Sequence, residues 1–196
     1  MPARDGWLHG RTLHTMSLRA NIEASVRSYS ASRRLGAGLE ARWLAWEPAD
    51  AAAMLQLAEA FGLGGNQIAD LLSWLEEISD RDGTSPAHVL GCTEIREVLS
   101  AGLGRSDKLK RVKALLRTRR YPRLAALEKA LESEVRALGL GSNVTIRFPP
   151  GLEGDEVRVE VRARQPDVLR DAVRRLDTAV AQGGFDRMFH LLYEAS

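Results

Sequence analysis

Cysteine is nearly absent from this chain, with Cys92 the single one in 196 residues. One thiol forms no internal disulfide and no multi-cysteine metal site, and such sparing use fits a reducing compartment. Histidine is scarce as well: His9, His14, His88 and His190 are scattered, and none has a second ligand at metal-binding spacing. Long apolar runs are missing, since no window nears the roughly 18 consecutive apolar residues of a membrane span. The start, Met1 to Gly10, carries Arg4, Asp5 and His9 where a secretory signal needs an unbroken apolar core. These absences predict a cytoplasmic protein with no membrane contact, no metal and no cofactor.

The clustered acid, base or nucleophile that catalysis requires is missing too. Cys92 lies in Gly91-Cys92-Thr93, which matches no nucleophile signature, and reads as a small hydrophobe. Gly62-Leu63-Gly64-Gly65 is too short for a phosphate loop and follows a helical pattern rather than a strand. Glu76-Glu77 and Glu132/Glu134 read as solvated helix faces. No catalytic residue is assigned, and the chain is expected to bind rather than to catalyse.

Charge is present in quantity and unevenly spread. The formal net charge is only +2, yet Arg105, Lys108, Lys110, Arg111, Lys113, Arg117, Arg119, Arg120 and Arg123 face one acid, Asp107, within the same stretch. That stretch sums to +8 and the remainder of the chain to −6. A local field of this kind attracts polyanions where the global value would not.

Periodicity predicts a mostly helical α+β fold in three parts: a loose arm over 1–16, a helical domain over 17–120, and an αββαα domain over 121–196. Helices are expected over Ser17–Arg34, with Leu18, Ile22, Val26 and Tyr29 in step; over 39–46; over 49–61, opened by Pro48 and closed by Gly62; and over 66–79, with Ile68, Leu71, Leu72, Leu75 and Ile78 as its stripe. Thr84-Ser85-Pro86 opens a short helix over 86–90, and another follows over 93–101. The basic helix is expected over 107–119, capped by Ser106, with Leu109, Val112 and Leu116 inward. Tyr121-Pro122 breaks the pattern, because a proline disfavours the helical conformation in the residue before it.

The next helix runs to Leu138 on a Leu124, Leu127, Leu131, Val135 and Leu138 stripe. The period then changes to two: Val144, Ile146 and Phe148, then Val157, Val159 and Val161, predict a hairpin with one apolar face across a turn-rich connection. A last long helix opens at Pro166 with Leu169, Val173, Leu176 and Val180 expected inward. A short terminal helix covers 185–193, and its Phe185, Met188, Phe189 and Leu192 suit either a partner's groove or intramolecular packing.

Two segments carry binding chemistry. Leu57-Ala58-Glu59-Ala60-Phe61-Gly62, followed by Ile68-Ala69-Asp70-Leu71, has helix-turn-helix spacing: a small residue where two helices touch, a turn glycine four later, and apolar residues sealing the angle. Asn66 and Gln67 would open the second helix, where such side chains can bond adenine edges in a major groove. The same spacing fits a purely structural helical corner, and Asp70, Glu76 and Glu77 carry the wrong sign for phosphates. The basic stretch reads either as a phosphate-contacting surface or as an amphipathic face whose stems cover apolar surface. Arg158 and Arg162, with Arg147 and Arg164, add positive charge on the polar side of the hairpin, diluted by Glu156 and Glu160.

Together the segments resemble the DNA-binding and C-terminal parts of the ParB family of chromosome and plasmid partition proteins. The likeness rests on Leu57–Gly62 with Ile68-Ala69-Asp70-Leu71-Leu72-Ser73-Trp74-Leu75. It rests also on the tail from Leu124 to Leu176: a long helix, a Val144/Ile146 strand, a glycine-containing turn, Val157-Arg158-Val159-Glu160-Val161, and a helix opened by Pro166-Asp167-Val168-Leu169. The resemblance implies DNA binding and a homodimer formed through the C-terminal domain. The family's nucleotide-binding domain and arginine-rich motif have no counterpart here, so nucleotide binding is not implied. Its polar, serine-rich start of the reading helix is replaced by Gly64-Gly65-Asn66. The expectation from sequence is thus a non-catalytic nucleic-acid-binding accessory protein, DNA before RNA, and its alternative is an assembly subunit that makes no nucleic-acid contact.

Overall fold

The computed structural model describes residues 6–152, 154 and 156–193, with side chains described from Ser17 onward except that of Pro150. The architecture is the mostly helical α+β arrangement that periodicity predicts, with ten helices and one antiparallel hairpin among the described residues. The chain divides into two compact units, 1–120 and 121–196.

Unit 1 holds α1 (Gly6–Arg33), α2 (Ala37–Leu44), α3 (Pro48–Phe61), α4 (Gly65–Asp82), α5 (Pro86–Leu90), α6 (Thr93–Ser100) and α7 (Arg105–Arg120). Helix α1 corrects the sequence reading, because its backbone is helical from Gly6, inside the stretch expected to be a loose arm. No proline interrupts the chain between Pro2 and Pro48, and extending an existing helix avoids the cost of a new nucleus. Residues 1–5, and the side chains of His9 and His14, lie outside the described residues. Of the residues in helical step, Leu18 is exposed, whereas Val26 and Tyr29 are buried.

Helix α4 is the centre of this unit. Its Ile68, Leu71, Leu72, Leu75 and Ile78 have no solvent exposure, and α2, α5 and α7 pack around it. Each neighbour is fixed by the chemistry of a helix end. Pro48 starts α3 with its backbone angle already set. Buried Asp50 accepts a 2.8 Å hydrogen bond from the Ala87 N–H and so ties α5 to α3, while the Ser85 hydroxyl accepts from His88 N–H at 3.2 Å. Gly62 closes α3 at φ +55°, a left-handed angle that favours glycine, and the Arg33 and Arg105 guanidiniums occupy the space a side chain there would need.

Tyr29 locks the resulting corner. Its hydroxyl lies 2.9 Å from both the Ala58 and the Leu63 carbonyl oxygens, and its ring meets buried Trp43 edge-on at 6.0 Å.

Unit 2 holds α8 (Pro122–Ala137), β1 (Val144–Arg147), a 3-10 turn (Pro150–Leu152), β2 (Arg158–Val161), α9 (Pro166–Ala181) and α10 (Gly184–Tyr193). The hairpin pairs Val144 with Val161, Thr145 with Glu160, Ile146 with Val159 and Arg147 with Arg158. The register puts Val144, Ile146, Val159 and Val161 on one face, as the alternation predicts, but Val159 is 39% exposed. The core is thin. Leu131, Met188 and Leu192 form its buried centre, with Leu127, Val135, Phe185, Phe189 and the hairpin's Ile146 packed partly buried against it. The terminal stripe packs within the unit: Met188 and Leu192 are buried, and Phe185 and Phe189 are half-covered, with α8 supplying much of the face they meet.

Helix α9 inverts its expected orientation. Leu169, Val173 and Val180 were expected inward but are 46%, 54% and 58% exposed, and the buried residues are Ala172 and Ala179. Arg175 pins this small-residue side down, donating to the Leu140 carbonyl at 2.9 Å and to Asn143 Oδ1 at 2.8 Å. A large apolar row is thus left facing outward.

The Tyr29 corner yields a first prediction. Tyr29→Phe keeps the ring but removes the one hydroxyl donor that the Ala58 and Leu63 carbonyls share, the Ala58 oxygen keeping the Leu63 N–H, at an expected cost of about 1–3 kcal/mol. Urea denaturation should show this loss with an unchanged far-ultraviolet circular dichroism spectrum.

Candidate nucleic-acid interface

The basic helix α7 sits on the core through Val112 and Leu116, both buried, with Leu109 and Leu115 beside them. Its cations then fall into two groups. Those on the flank nearest α4 meet a row of partners on that helix. Lys113 lies 3.8 Å from Asp70, Arg120 bonds Glu77 at 2.7 Å, and Arg119 reaches Asp82 at 3.5 Å. Lys113 and Arg120 also stand over the Trp74 ring, 5.7 and 5.8 Å from its centroid. Arg81 of α4 completes the seam by donating to the Arg119 and Arg120 carbonyls at 2.6 and 2.7 Å, which caps the C-terminal end of α7 with positive charge.

Two further cations serve backbone ends. Arg105 donates to the Phe61 carbonyl, and Lys108 donates to the Leu99 carbonyl at 2.6 Å. Sequence reading missed this pairing, taking the acids of α4 as a solvated face and the bases of α7 as unbalanced. The signal that would have found it is the matched helical spacing of Asp70, Trp74, Glu77 and Arg81 with Lys113 and Arg120.

What remains outward on α7 is Asp107, Lys110, Arg111, Ala114, Arg117 and Thr118, all exposed. Lys110 and Arg111 enter no ion pair among the described residues. This face keeps three cations against one acid.

The segment with helix-turn-helix spacing forms α3, a turn at Gly62 and α4, and this second helix is unlike a free reading helix. Asn66 is exposed in the first turn. Gln67 is engaged locally, its Oε1 accepting from the Gly64 N–H at 3.1 Å, which caps the start of α4. Further along, α4 presents Asp70, Glu76 and Glu77, each held by a cation of this unit. Glu76 is the most elaborate of these. Arg42 donates to both of its oxygens, and the Trp46 indole N–H donates to Oε1 at 2.9 Å. Partial burial pushes the Glu76 carboxyl up, but the hydrogen bonds from Arg42 and Trp46 and the Arg42 charge outweigh it and hold the group below the usual range.

In unit 2, Arg123 and Arg158 are exposed and in no ion pair among the described residues. Arg158 stands directly across the hairpin from Arg147, a like-charge pair that Glu160 relieves at 3.4 Å from Arg147. Arg162 bonds Glu160 at 2.9 Å, which lowers that carboxyl, and Arg164 is exposed. The candidate cations are therefore placed on each unit separately, on the outer face of α7 and on the polar face of the hairpin.

Among the described residues no group of three or more His, Cys, Asp or Glu side chains is placed to hold a metal ion, and no helix is long and apolar enough to cross a membrane. Comparison with family models, curated proteins and solved structures finds no match for this chain. The functional reading therefore stands on these residues and their geometry.

The Glu76 cluster fixes a pH dependence. A carboxyl whose folded pKa is depressed stabilises the fold above its unfolded value, near 4.5, and that stabilisation is lost as pH falls through the lower folded value. Glu76→Gln should be less stable than the native chain at neutral pH, and the gap should close on acidification below about 4.5. Denaturant titrations at pH 7 and pH 3.5 measure it.

Proposed function

We propose that this protein is a non-catalytic binding protein that self-associates through unit 2 and holds nucleic acid, duplex DNA before RNA, on the outer face of α7. The observation that carries the reading is that Lys110 and Arg111 are exposed on α7 and in no ion pair among the described residues, with Arg117 exposed on the same helix. Three cations along one helix, Lys110 and Arg111 in one turn and Arg117 about two turns on, can track a phosphate backbone, and the counterions they release supply the binding free energy. Contacts of that kind position a protein without reading sequence. Gln67 acts as a cap, which leaves Asn66 as the base-edge candidate on α4. The cations on the hairpin's polar face, Arg147, Arg158, Arg162 and Arg164, are a second phosphate-contacting set.

Self-association is supported by α9. Leu169, Val173, Leu176 and Val180 follow the four-three-four spacing of a two-helix seam, and three of the four are exposed. A helix burying only alanines in its own unit leaves its largest apolar groups in water, and a second copy can cover them with the same stripe across a two-fold axis. Two linked copies bring two α7 helices to one polyanion, which multiplies a weak contact by effective concentration.

A second reading, an assembly subunit with no nucleic-acid contact, draws support from the seam itself. Asp70, Glu77 and Asp82 neutralise Lys113, Arg120 and Arg119 inside unit 1, so the outward excess is smaller than the chain's charge run suggests.

Two experiments separate these readings. In duplex titrations over a salt series, Lys110→Gln, Arg111→Gln and Arg117→Gln together should weaken binding to all sequences alike. The slope of log affinity against log salt should fall by about 0.9 for each lost contact. Arg119→Gln with Arg120→Gln should instead lower stability and leave that slope nearly intact. No affinity of the native chain for DNA or RNA at low salt would transfer the case to the assembly reading. In light scattering or sedimentation, Val173→Glu with Val180→Glu should raise the dimer dissociation constant at least about tenfold, because each chain carries a buried charge into the seam. A native chain that stays monomeric at high concentration would end the dimer reading.

A further inference from the structure

Unit 1 contains a cavity of about 710 Å³ between α3, α5, α6 and the start of α7, within the size range of small-molecule sites. Its apolar wall includes Leu57 of α3, Leu90 of α5 and Leu103 before α7. Its charged lining consists of Arg96, Arg105 and Lys108, with no acidic residue.

An apolar hollow that carries three positive charges and no negative one has a defined complement. From this we infer that the cavity binds a small amphiphilic anion, an alkyl or aryl body with a carboxylate or phosphate head.

Two of the cations are already held in place. Arg105 donates to the Phe61 carbonyl and Lys108 to the Leu99 carbonyl, each bond using part of a donor set of five and three respectively. Their remaining donors can meet an anionic head without reorganising the side chains, and preorganised donors lose less on binding. Arg96 is exposed and makes no side-chain hydrogen bond or ion pair among the described residues. Desolvating one end of the cavity with an apolar chain strengthens the charge-assisted bonds at the other. Neither the nucleic-acid reading nor the dimer is needed for this site, because its lining contains none of Lys110, Arg111 or Arg117 and nothing from unit 2.

Calorimetric titration of the full chain with octanoate, octyl phosphate and uncharged 1-octanol, each below its aggregation limit, tests the inference. Saturable one-to-one binding of at least one anion, at least about tenfold tighter than the alcohol, is expected, and comparison of octanoate with octyl phosphate assigns the head group. Arg96→Gln should weaken the anion roughly tenfold, the value of one charge-assisted hydrogen bond, and leave the alcohol unaffected. Ala60→Phe, at an exposed position of α3 that lines the cavity, should abolish binding while the melting temperature stays within a few degrees. Equal binding of the alcohol, unchanged anion binding in Ala60→Phe, or no saturable binding of either anion to the native chain would overturn it.

Discussion

The contact between α4 and α7 is the constraint around which unit 1 is arranged. A helix with eight cations in sixteen residues repels itself, and left alone it would fray. Magnitudes show how the work is divided. Exposed ion pairs such as Lys113 with Asp70 stabilise by about 0.2–1 kcal/mol each, whereas full burial of Val112 or Leu116 stabilises by about 1.5–3 kcal/mol. The apolar contacts therefore attach α7, and the acids of α4 decide which way it can be rotated. Any other rotation would bring Arg117 or Arg111 against the core, or leave Asp70 and Glu77 facing one another's repulsion. The Trp74 ring under Lys113 and Arg120 serves the same selection, since it accepts cations on its face where a carboxylate would be excluded.

Unit 2 shows the opposite economy. Its buried centre is formed by Leu131, Met188 and Leu192, and much of its remaining apolar surface is only half-covered. Small domains of this kind bury a low fraction of their surface and are correspondingly marginal alone. The approach of α9 to its neighbours depends on small residues: Ala172 and Ala179 are buried, and a side chain at Gly184 would run into Leu138 and the Ala179 carbonyl. Close packing on that side displaces the larger residues Leu169, Val173 and Val180 to the outside.

Much of this was legible in the sequence, for reasons that also explain the rest. Pro48, Gly62 and Pro122 mark helix ends through backbone geometry alone, so the boundaries they set are close to those found. The hairpin register follows from a period of two that no helix can satisfy. The orientation of α9 was not legible, because a helix with large residues on one side and alanines on the other has two candidate inner faces. Size favours the first and close approach the second. The meaning of the charge run was only half legible for a different reason. Counting along the chain records Arg120 beside Arg119 and cannot record Glu77, which lies 43 positions away and 2.7 Å distant.

The end of α3 carries one more consequence. Its last carbonyls accept from donors in separate parts of the chain: Ala58 from the Leu63 N–H and the Tyr29 hydroxyl, Glu59 from the Gly62 N–H, and Phe61 from the Arg105 guanidinium. Helix ends are usually where a fold loosens first, since their groups can trade partners with water one at a time. Here the trade is coupled, because releasing the turn means releasing α1 and α7 with it. The amides of Gly62 and Leu63, though they sit in a turn, are therefore expected to exchange slowly with solvent.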